Sequence, residues 1–326
     1  MKVTVIGAGG WGTALANLLR KSGHEIVLWG RNAEHLEQIA ASGRNEAYLP
    51  GIATAQGVRC QADLPAAVAG ADCVVIAVPS KFFREVTSRL ATYKGLAVSV
   101  TKGIEYESGL TMSGILQTTM PHALAAVLSG PSLALEVARE IPAAVVAAHR
   151  DAEVARQTQI LFHRPAFRVY TSQDVLGVEL GGAVKNVVAI AAGIGDGLGF
   201  GDNSKAGLIT RGVAEMRRLG VARGASAETF SGLSGLGDLV VTCYSRLSRN
   251  RAFGERVGKG ERVETILAST RSVAEGHPTA KAAWQLARTL GIETPIIDEV
   301  YDMLYRGKEV GKAVQDLMAR DMKQED

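Results

Sequence analysis

The chain has 326 residues, and 36 Lys and Arg against 33 Asp and Glu leave a net charge of +3, too little for a nucleic-acid-binding surface. Hydrophobic residues make up 47% and charged residues 21%, an ordinary globular balance in a chain long enough for two cores. The three cysteines, Cys60, Cys73 and Cys243, form neither a metal-ligand spacing nor a disulfide framework, the apolar runs fall short of a membrane span, and the start MKVTVIGAGG carries no signal-peptide pattern, so a reducing cytoplasmic setting is expected.

Val3-Thr4-Val5-Ile6 predicts a short strand running into Gly7-Ala8-Gly9-Gly10-Trp11-Gly12, with a helix from Thr13 to Arg20. This is GxGxxG between strand and helix, the setting a dinucleotide loop requires. Gly7 permits the turn, Gly9 and its neighbour Gly10 let the backbone approach a pyrophosphate, and Gly12 lets the helix pack on the strand. Trp11 is expected as a wall beside the cofactor. The second strand, Glu25 to Trp29, ends in Gly30-Arg31-Asn32, where an NAD-selective site carries an acid for the ribose hydroxyls. Glu34 comes too late to serve. The planar guanidinium of Arg31 suits adenine or a 2′-phosphate, so NADP(H), with or without NAD(H), is the expected cofactor.

Asp72 to Val78 predicts a buried strand stopped by Pro79, Lys81 to Ala91 a helix, and Leu96 to Val100 a strand leading into Thr101-Lys102-Gly103. Further strands are expected over 125–128, 143–147 and 166–170. Apolar strands alternating with helices predict an α/β fold, a Rossmann-type doubly wound, mostly parallel sheet with ligands beyond the carboxyl ends of its strands. Pro79, Lys102 and Gly130-Pro131-Ser132 fall at that edge. Lys102 reads as an anion contact. The Gly130 turn exposes the Ser132 hydroxyl to a ligand, caps the next helix, or does both.

Beyond Asp174 an all-helical domain is expected, apart from a brief β-rich run at Leu239–Thr242. Val178 to Ala192 predicts a long buried helix with Lys185 and Asn186 at its middle. A buried ammonium without a partner is costly, which points to a function for Lys185. Gly193 to Gly201 is expected to break this helix. Helices follow over 205–219, 251–258, 263–268, 279–290 and 297–305, and the tail after Gly311 is expected to fray. Gly232 to Asp238 is too rich in glycine and serine for a stable helix, and reads equally as a surface loop or as half of a site. Ser248-Arg249-Asn250 then offers groups suited to a phosphate or a hydroxyl. His122, His149, His163 and His277 show no pairing, and no metal site is expected. The expected division is 1–178, dinucleotide-binding, and 179–326, substrate-binding.

GAGGWGTALA at 7–16, Thr101-Lys102-Gly103, GPSLALE at 130–136, VKN at 184–186, GLSGLGDL at 232–239 and SRN at 248–250 occur in one order and spacing. Over nearly its whole length the chain thereby resembles the bacterial NAD(P)-dependent glycerol-3-phosphate dehydrogenases. Leu133 stands where that family often has an aromatic residue. The resemblance implies reversible reduction of dihydroxyacetone phosphate to sn-glycerol 3-phosphate for phospholipid synthesis, by a homodimer. It implies Lys185 as the acid/base, with substrate contacts at Lys102, Ser132 and its Gly130 turn, Asp238, Ser248, Arg249 and Asn250. The implied cofactor contacts are Trp11, Arg31, Lys102, Ala134, Arg249, Val273 and Glu275. Lys102 and Arg249 are expected to lower the pKa of Lys185, with Asp238 opposing them. Another hydroxy-acid or sugar-acid dehydrogenase of similar build and a non-catalytic NAD(P)-binding protein stand as alternatives.

Overall fold

Short runs of β-branched and small apolar residues build the first half into a single eight-stranded sheet, seen in a computed structural model that describes residues 1–269, 274–322 and 324. The strands are β1 (Lys2–Ile6), β2 (Glu25–Trp29), β3 (Val58–Gln61), β4 (Cys73–Ile76), β5 (Leu96–Ser99), β6 (Leu124–Ser129), β7 (Ala143–Ala148) and β8 (Phe167–Ser172). Their spatial order is β3-β2-β1-β4-β5-β6-β7-β8, parallel throughout except where β7 runs against β6. Strand β3 escapes the sequence reading because VRCQ is a partly exposed edge segment with little apolar alternation. Seven helices connect the strands: α1 (Gly10–Lys21), α2 (Ala33–Ser42), α3 (Leu64–Val68), α4 (Ser80–Ser88), α5 (Met112–Thr119), α6 (Ala134–Ala138) and α7 (Ala152–Phe162). Apolar side chains form one cluster around Val5, Leu15 and Leu28 and another around Ile6, Ile76 and Phe83, as a sheet covered on both faces requires. The chain passes from β1 to β2 on one side and returns to β4 on the other, so the crevice opens between the carboxyl ends of β1 and β4.

The second half is helical: α8 (Val175–Gly197), α9 (Asp202–Ala222), α10 (Asp238–Tyr244), α11 (Arg249–Gly258), α12 (Val263–Ser269), α13 (Gly276–Leu290), α14 (Pro295–Tyr305) and α15 (Val310–Met318). Helix α8 has the length and apolarity to cross a membrane, but 83% of its apolar window is buried inside the protein. It is the axis of the helical core.

Four expectations are corrected here, two of them only in part. Helix α8 does end within residues 193–201, but only after Gly197, so Gly193, Gly195 and Gly197 lie inside it. A Cβ on Gly193 would lie 2.0 Å from the Arg251 carbonyl oxygen, and one on Gly254 would lie 2.0 Å from that of Ile190, so glycine lets α8 and α11 touch backbone to backbone. The stretch from Gly232 is also helical, because Leu233–Gly237 forms a π-helical turn that continues into α10. A Cβ on Gly235 would lie 2.2 Å from the Phe230 carbonyl oxygen, and one on Gly181 would lie 2.7 Å from that of Ser234. Close tertiary contact overrides weak helix propensity there, and the supposed strand Leu239–Thr242 lies inside α10. The tail, finally, is helical as far as Met318 in α15, which seats Ala313 in the core.

Two carboxylates from the helical half fasten it to the sheet half. Glu179 on α8 accepts from the Ser113 amide at 2.8 Å and hydroxyl at 2.5 Å, at the start of α5. Glu275, just before α13, accepts from the Ser80 amide at 3.0 Å and hydroxyl at 2.5 Å, at the start of α4. Each carboxyl sits at a helix N-terminus, where the dipole favours negative charge, although burial raises the pKa of both.

Candidate active site

The GxGxxG segment forms the expected cradle. Gly7 adopts a φ of +127°, and a Cβ there would meet the Ala77 carbonyl oxygen at 2.6 Å. A Cβ on Gly12 would overlap the Gly7 carbonyl oxygen at 1.8 Å, so the helix is pressed onto the turn. Gly10 is similarly closed by the Tyr48 carbonyl, with Ala134 at the start of α6 alongside. Gly9 differs: nothing lies within 4 Å of a Cβ placed there, and as the N-cap of α1 it brings no side chain to the helix terminus. An open face over unsatisfied helix N–H groups fits a pyrophosphate, and these residues are the ones that would hold a dinucleotide. Asn45, absent from the sequence reading, braces the cradle by donating to the Ala8 carbonyl at 3.0 Å and the Thr13 hydroxyl at 2.7 Å.

Around this cradle the expected contacts divide. Arg31 is exposed at the end of β2, its guanidinium 4.8 Å from the Phe82 ring centre. Trp11 is not at a loop tip. It lies in the first turn of α1 and packs half-buried on the core beneath the sheet. Val273 lies outside the described residues. Burial raises the carboxyl pKa of Glu275, with the Ser80 hydrogen bonds and the charge of Arg249 opposing.

At the carboxyl ends of β5 and β6 the two halves meet in a buried charge cluster. Lys185, on α8 and 6% exposed, donates to Asp238 Oδ1 at 2.8 Å and to the Thr242 hydroxyl at 2.7 Å. Lys102 donates to Asp238 Oδ2 at 2.5 Å and to the Gly130 carbonyl at 3.0 Å. One carboxylate therefore bridges two ammonium groups. Burial pulls the Lys185 pKa down to about 8; Asp238 opposes this, and the nearby Lys102 charge adds to it. Arg249 does not contribute, which corrects the expectation. Burial works against ionisation of Asp238 as well, yet Lys102 and Lys185 outweigh it and hold its carboxyl below the ordinary value. Thr242 was missed from sequence. Its spacing of four from Asp238 places both on one helix face, a signal usable only once α10 is read as a helix.

Other candidates serve the fold directly. Lys102 is engaged by Asp238 and Gly130 instead of standing free for an anion. Ser132 donates to the Gly130 carbonyl at 2.9 Å and does not cap α6, whose cap residue is Leu133. Ser248 is the cap of α11, accepting from the Arg251 amide at 3.2 Å. Asn250 is buried and bonded on both sides, to Asn186 and Gly276. Arg249 keeps part of its surface exposed, yet burial around its guanidinium lowers its pKa, with the charge of Glu275 opposing.

A dinucleotide cradle and a buried lysine of lowered pKa, both at the carboxyl ends of the strands of one sheet, make the arrangement of the nicotinamide-dependent dehydrogenases. Residues 2–155 match the N-terminal model, and residues 174–315 the C-terminal model, of NAD-dependent glycerol-3-phosphate dehydrogenase. The chain belongs to that family. It is 50% identical over 330 residues to a Geobacter metallireducens protein named glycerol-3-phosphate dehydrogenase, NAD(P)+, covering 99% of this chain and 98% of the relative. A Geobacter sulfurreducens protein of the same name is 48% identical over the same length, covering 99% and 98%. The crystal structure of glycerol-3-phosphate dehydrogenase from Coxiella burnetii superposes with a TM-score of 0.94 at 38% identity, covering 98% of this chain and 99% of that one.

Proposed function

We infer that this chain is an oxidoreductase that interconverts dihydroxyacetone phosphate and sn-glycerol 3-phosphate with NAD(H) or NADP(H), supplying a backbone for phospholipids. The observation that carries the reading is the Lys185–Asp238–Lys102 cluster, set beside a dinucleotide cradle in a chain of this family. The dinucleotide, when bound, gives or takes the hydride at the substrate's central carbon. Lys185 handles the proton. As the ammonium it donates to the oxygen on which negative charge develops, and as the amine it takes the hydroxyl proton in the reverse direction. A pKa of about 8 leaves both forms accessible near neutrality. Asp238 and Thr242 hold the Nζ in place, so the group is oriented before substrate arrives.

Arg249 is assigned to the substrate phosphate, a group remote from the reacting carbon whose binding energy positions that carbon. Gly130, Ser132, Ser248 and Lys102 contribute to the substrate wall mainly by shaping it. Arg31 is assigned to the adenine and 2′-phosphate end, and Trp11, Ala134 and Glu275 to the cofactor groove. We place the domain division at 178/179, within the first turns of α8, and assign the protein to the cytoplasm as a homodimer. Sedimentation at graded protein concentration tests the dimer.

The decisive assay follows the nicotinamide absorbance while dihydroxyacetone phosphate is added with NADPH or NADH. Oxidation of the cofactor is expected with this substrate and not with hydroxy-acid precursors. Lys185→Ala is expected to abolish turnover while still binding dinucleotide, and robust turnover by that variant overturns the role of Lys185.

A further inference from the structure

Strand β2 ends without the acid that an NAD-selective site carries, and Arg31 stands there exposed. A second cation meets it from across the crevice. Helix α4 follows β4, and its first turn holds Lys81, exposed, and Phe82, half-buried. The Lys81 Nζ lies 4.7 Å from the Phe82 ring centre, against 4.8 Å for the Arg31 guanidinium carbon. Both charges converge on one ring, although β2 and β4 lie on either side of β1.

Local stability does not explain the placement of Lys81. A cation in the first turn opposes the helix dipole, and α4 has neither an acidic residue in that turn nor a side-chain cap. Among the described residues neither Arg31 nor Lys81 forms an ion pair. Arg84, one turn further along α4, is by contrast held by both oxygens of Glu105, at 2.8 and 2.6 Å. The charge of Lys81 is felt by Glu275, which accepts from the Ser80 amide, without an ion pair between them. Arg31 adjoins the N-terminus of α2, whose cap Asn32 is neutral and gives its oxygen to the His35 amide at 3.0 Å. Two unpaired cations and the positive ends of two helices thus stand at the carboxyl edge of β2 and β4, where the adenosine end of a dinucleotide lies.

We propose that Lys81 is a specificity-determining residue: with Arg31 it binds the 2′-phosphate of the cofactor, and so tilts the protein toward NADP(H) over NAD(H). The proposal rests on the dinucleotide reading above and adds to it the preference and a second phosphate ligand. A 2′-phosphate carries about −1.5 to −2 charge near neutrality, enough for two cations, whereas the ribose hydroxyl of NAD(H) carries none. Phe82 gathers both cations on its ring before the cofactor arrives.

Adenosine 2′,5′-bisphosphate and adenosine 5′-phosphate differ only in the 2′-phosphate, so titration calorimetry with the two tests the proposal without turnover. NADPH and NADH are titrated alongside. Wild type is expected to bind the 2′-phosphorylated member of each pair about tenfold more tightly or better. Lys81→Gln is expected to weaken that member by about five- to tenfold and to leave the other within about twofold. Lys81→Arg keeps the charge and is expected to keep the preference, while Lys81→Glu is expected to abolish it. Lys81 is exposed, so thermal melting of the variants is expected to match wild type. Equal losses for both members of a pair overturn the proposal, because they mean that Lys81 serves Glu275 or the helix instead of the phosphate. An unchanged ratio in Lys81→Gln overturns it as well. A wild type that binds neither NADPH nor NADH overturns the dinucleotide reading instead, which separates the two failures.

Discussion

Two glycine-rich stretches, Gly7 to Gly12 and Gly232 to Gly237, look alike in composition, yet Gly9 in the first and Gly235 in the second do opposite things. In the first, Gly9 leaves space that a ligand can fill, beside an uncapped helix terminus. In the second, glycine removes space: Gly235 presses on the Phe230 backbone, and Gly181 of α8 closes on Ser234. The first stretch makes room for a cofactor; the second brings two helices close enough to carry Asp238 to Lys185. Glycine content alone therefore does not mark a loop. What matters is whether the missing side chain is replaced by solvent and ligand or by another backbone.

The largest test of this contrast removes what the second stretch delivers. Asp238→Ala leaves the buried Lys185 beside the half-buried Lys102 without their counter-ion, so kcat is expected to fall by about 10²- to 10⁴-fold and stability by about 3–5 kcal/mol. Steady-state rates and thermal melting check it, and a variant that keeps wild-type kcat removes Asp238 from the site. Next come the closed glycines. Gly235→Ala and Gly12→Ala force a methyl into a backbone oxygen, at 2.2 Å and 1.8 Å, and each is expected to cost about 1–3 kcal/mol or more. Denaturant unfolding reads this directly; unchanged midpoints would mean that the close packing is not as described.

The pH dependence is a middle-sized effect. Ketone reduction needs the Lys185 ammonium, so its rate is expected to fall as pH rises through about 8, approaching tenfold per unit beyond it. Alcohol oxidation needs the free amine and is expected to rise over the same range. Profiles in both directions with the same slope would contradict the assignment. The smallest structural effect belongs to Gly9→Ala. With nothing within 4 Å, stability is expected to change by no more than about 0.5 kcal/mol. Dinucleotide affinity should nevertheless drop by about tenfold, since the methyl occupies the approach to the helix terminus. Loss of stability with intact affinity would reverse the roles given to the two stretches.

Much of the site was legible because some residue types are costly unless used. Lys185 in an apolar helix, the glycines after β1 and the missing acid after β2 each announce a role without any coordinates. Thr242 was invisible because its place beside Lys185 depends on a helix that propensity argues against. Glu275 and Glu179 act on helix termini in the other half of the chain, at separations of 195 and 66 residues, which no local pattern encodes. Asn250 and Ser248 were legible as polar groups near a site, but their partners were not.

From sequence alone came the alternation of strand and helix, the dinucleotide loop, the buried lysine and the order of motifs, because each rests on local periodicity or on a residue type with few tolerable environments. Only the tertiary structure decided that Gly232–Tyr244 is helical, that one carboxylate is shared between two lysines, and that Asn250 faces inward. Those outcomes depend on contacts between segments far apart in the chain, where backbone proximity and desolvation outweigh the weak preferences that a local sequence can express.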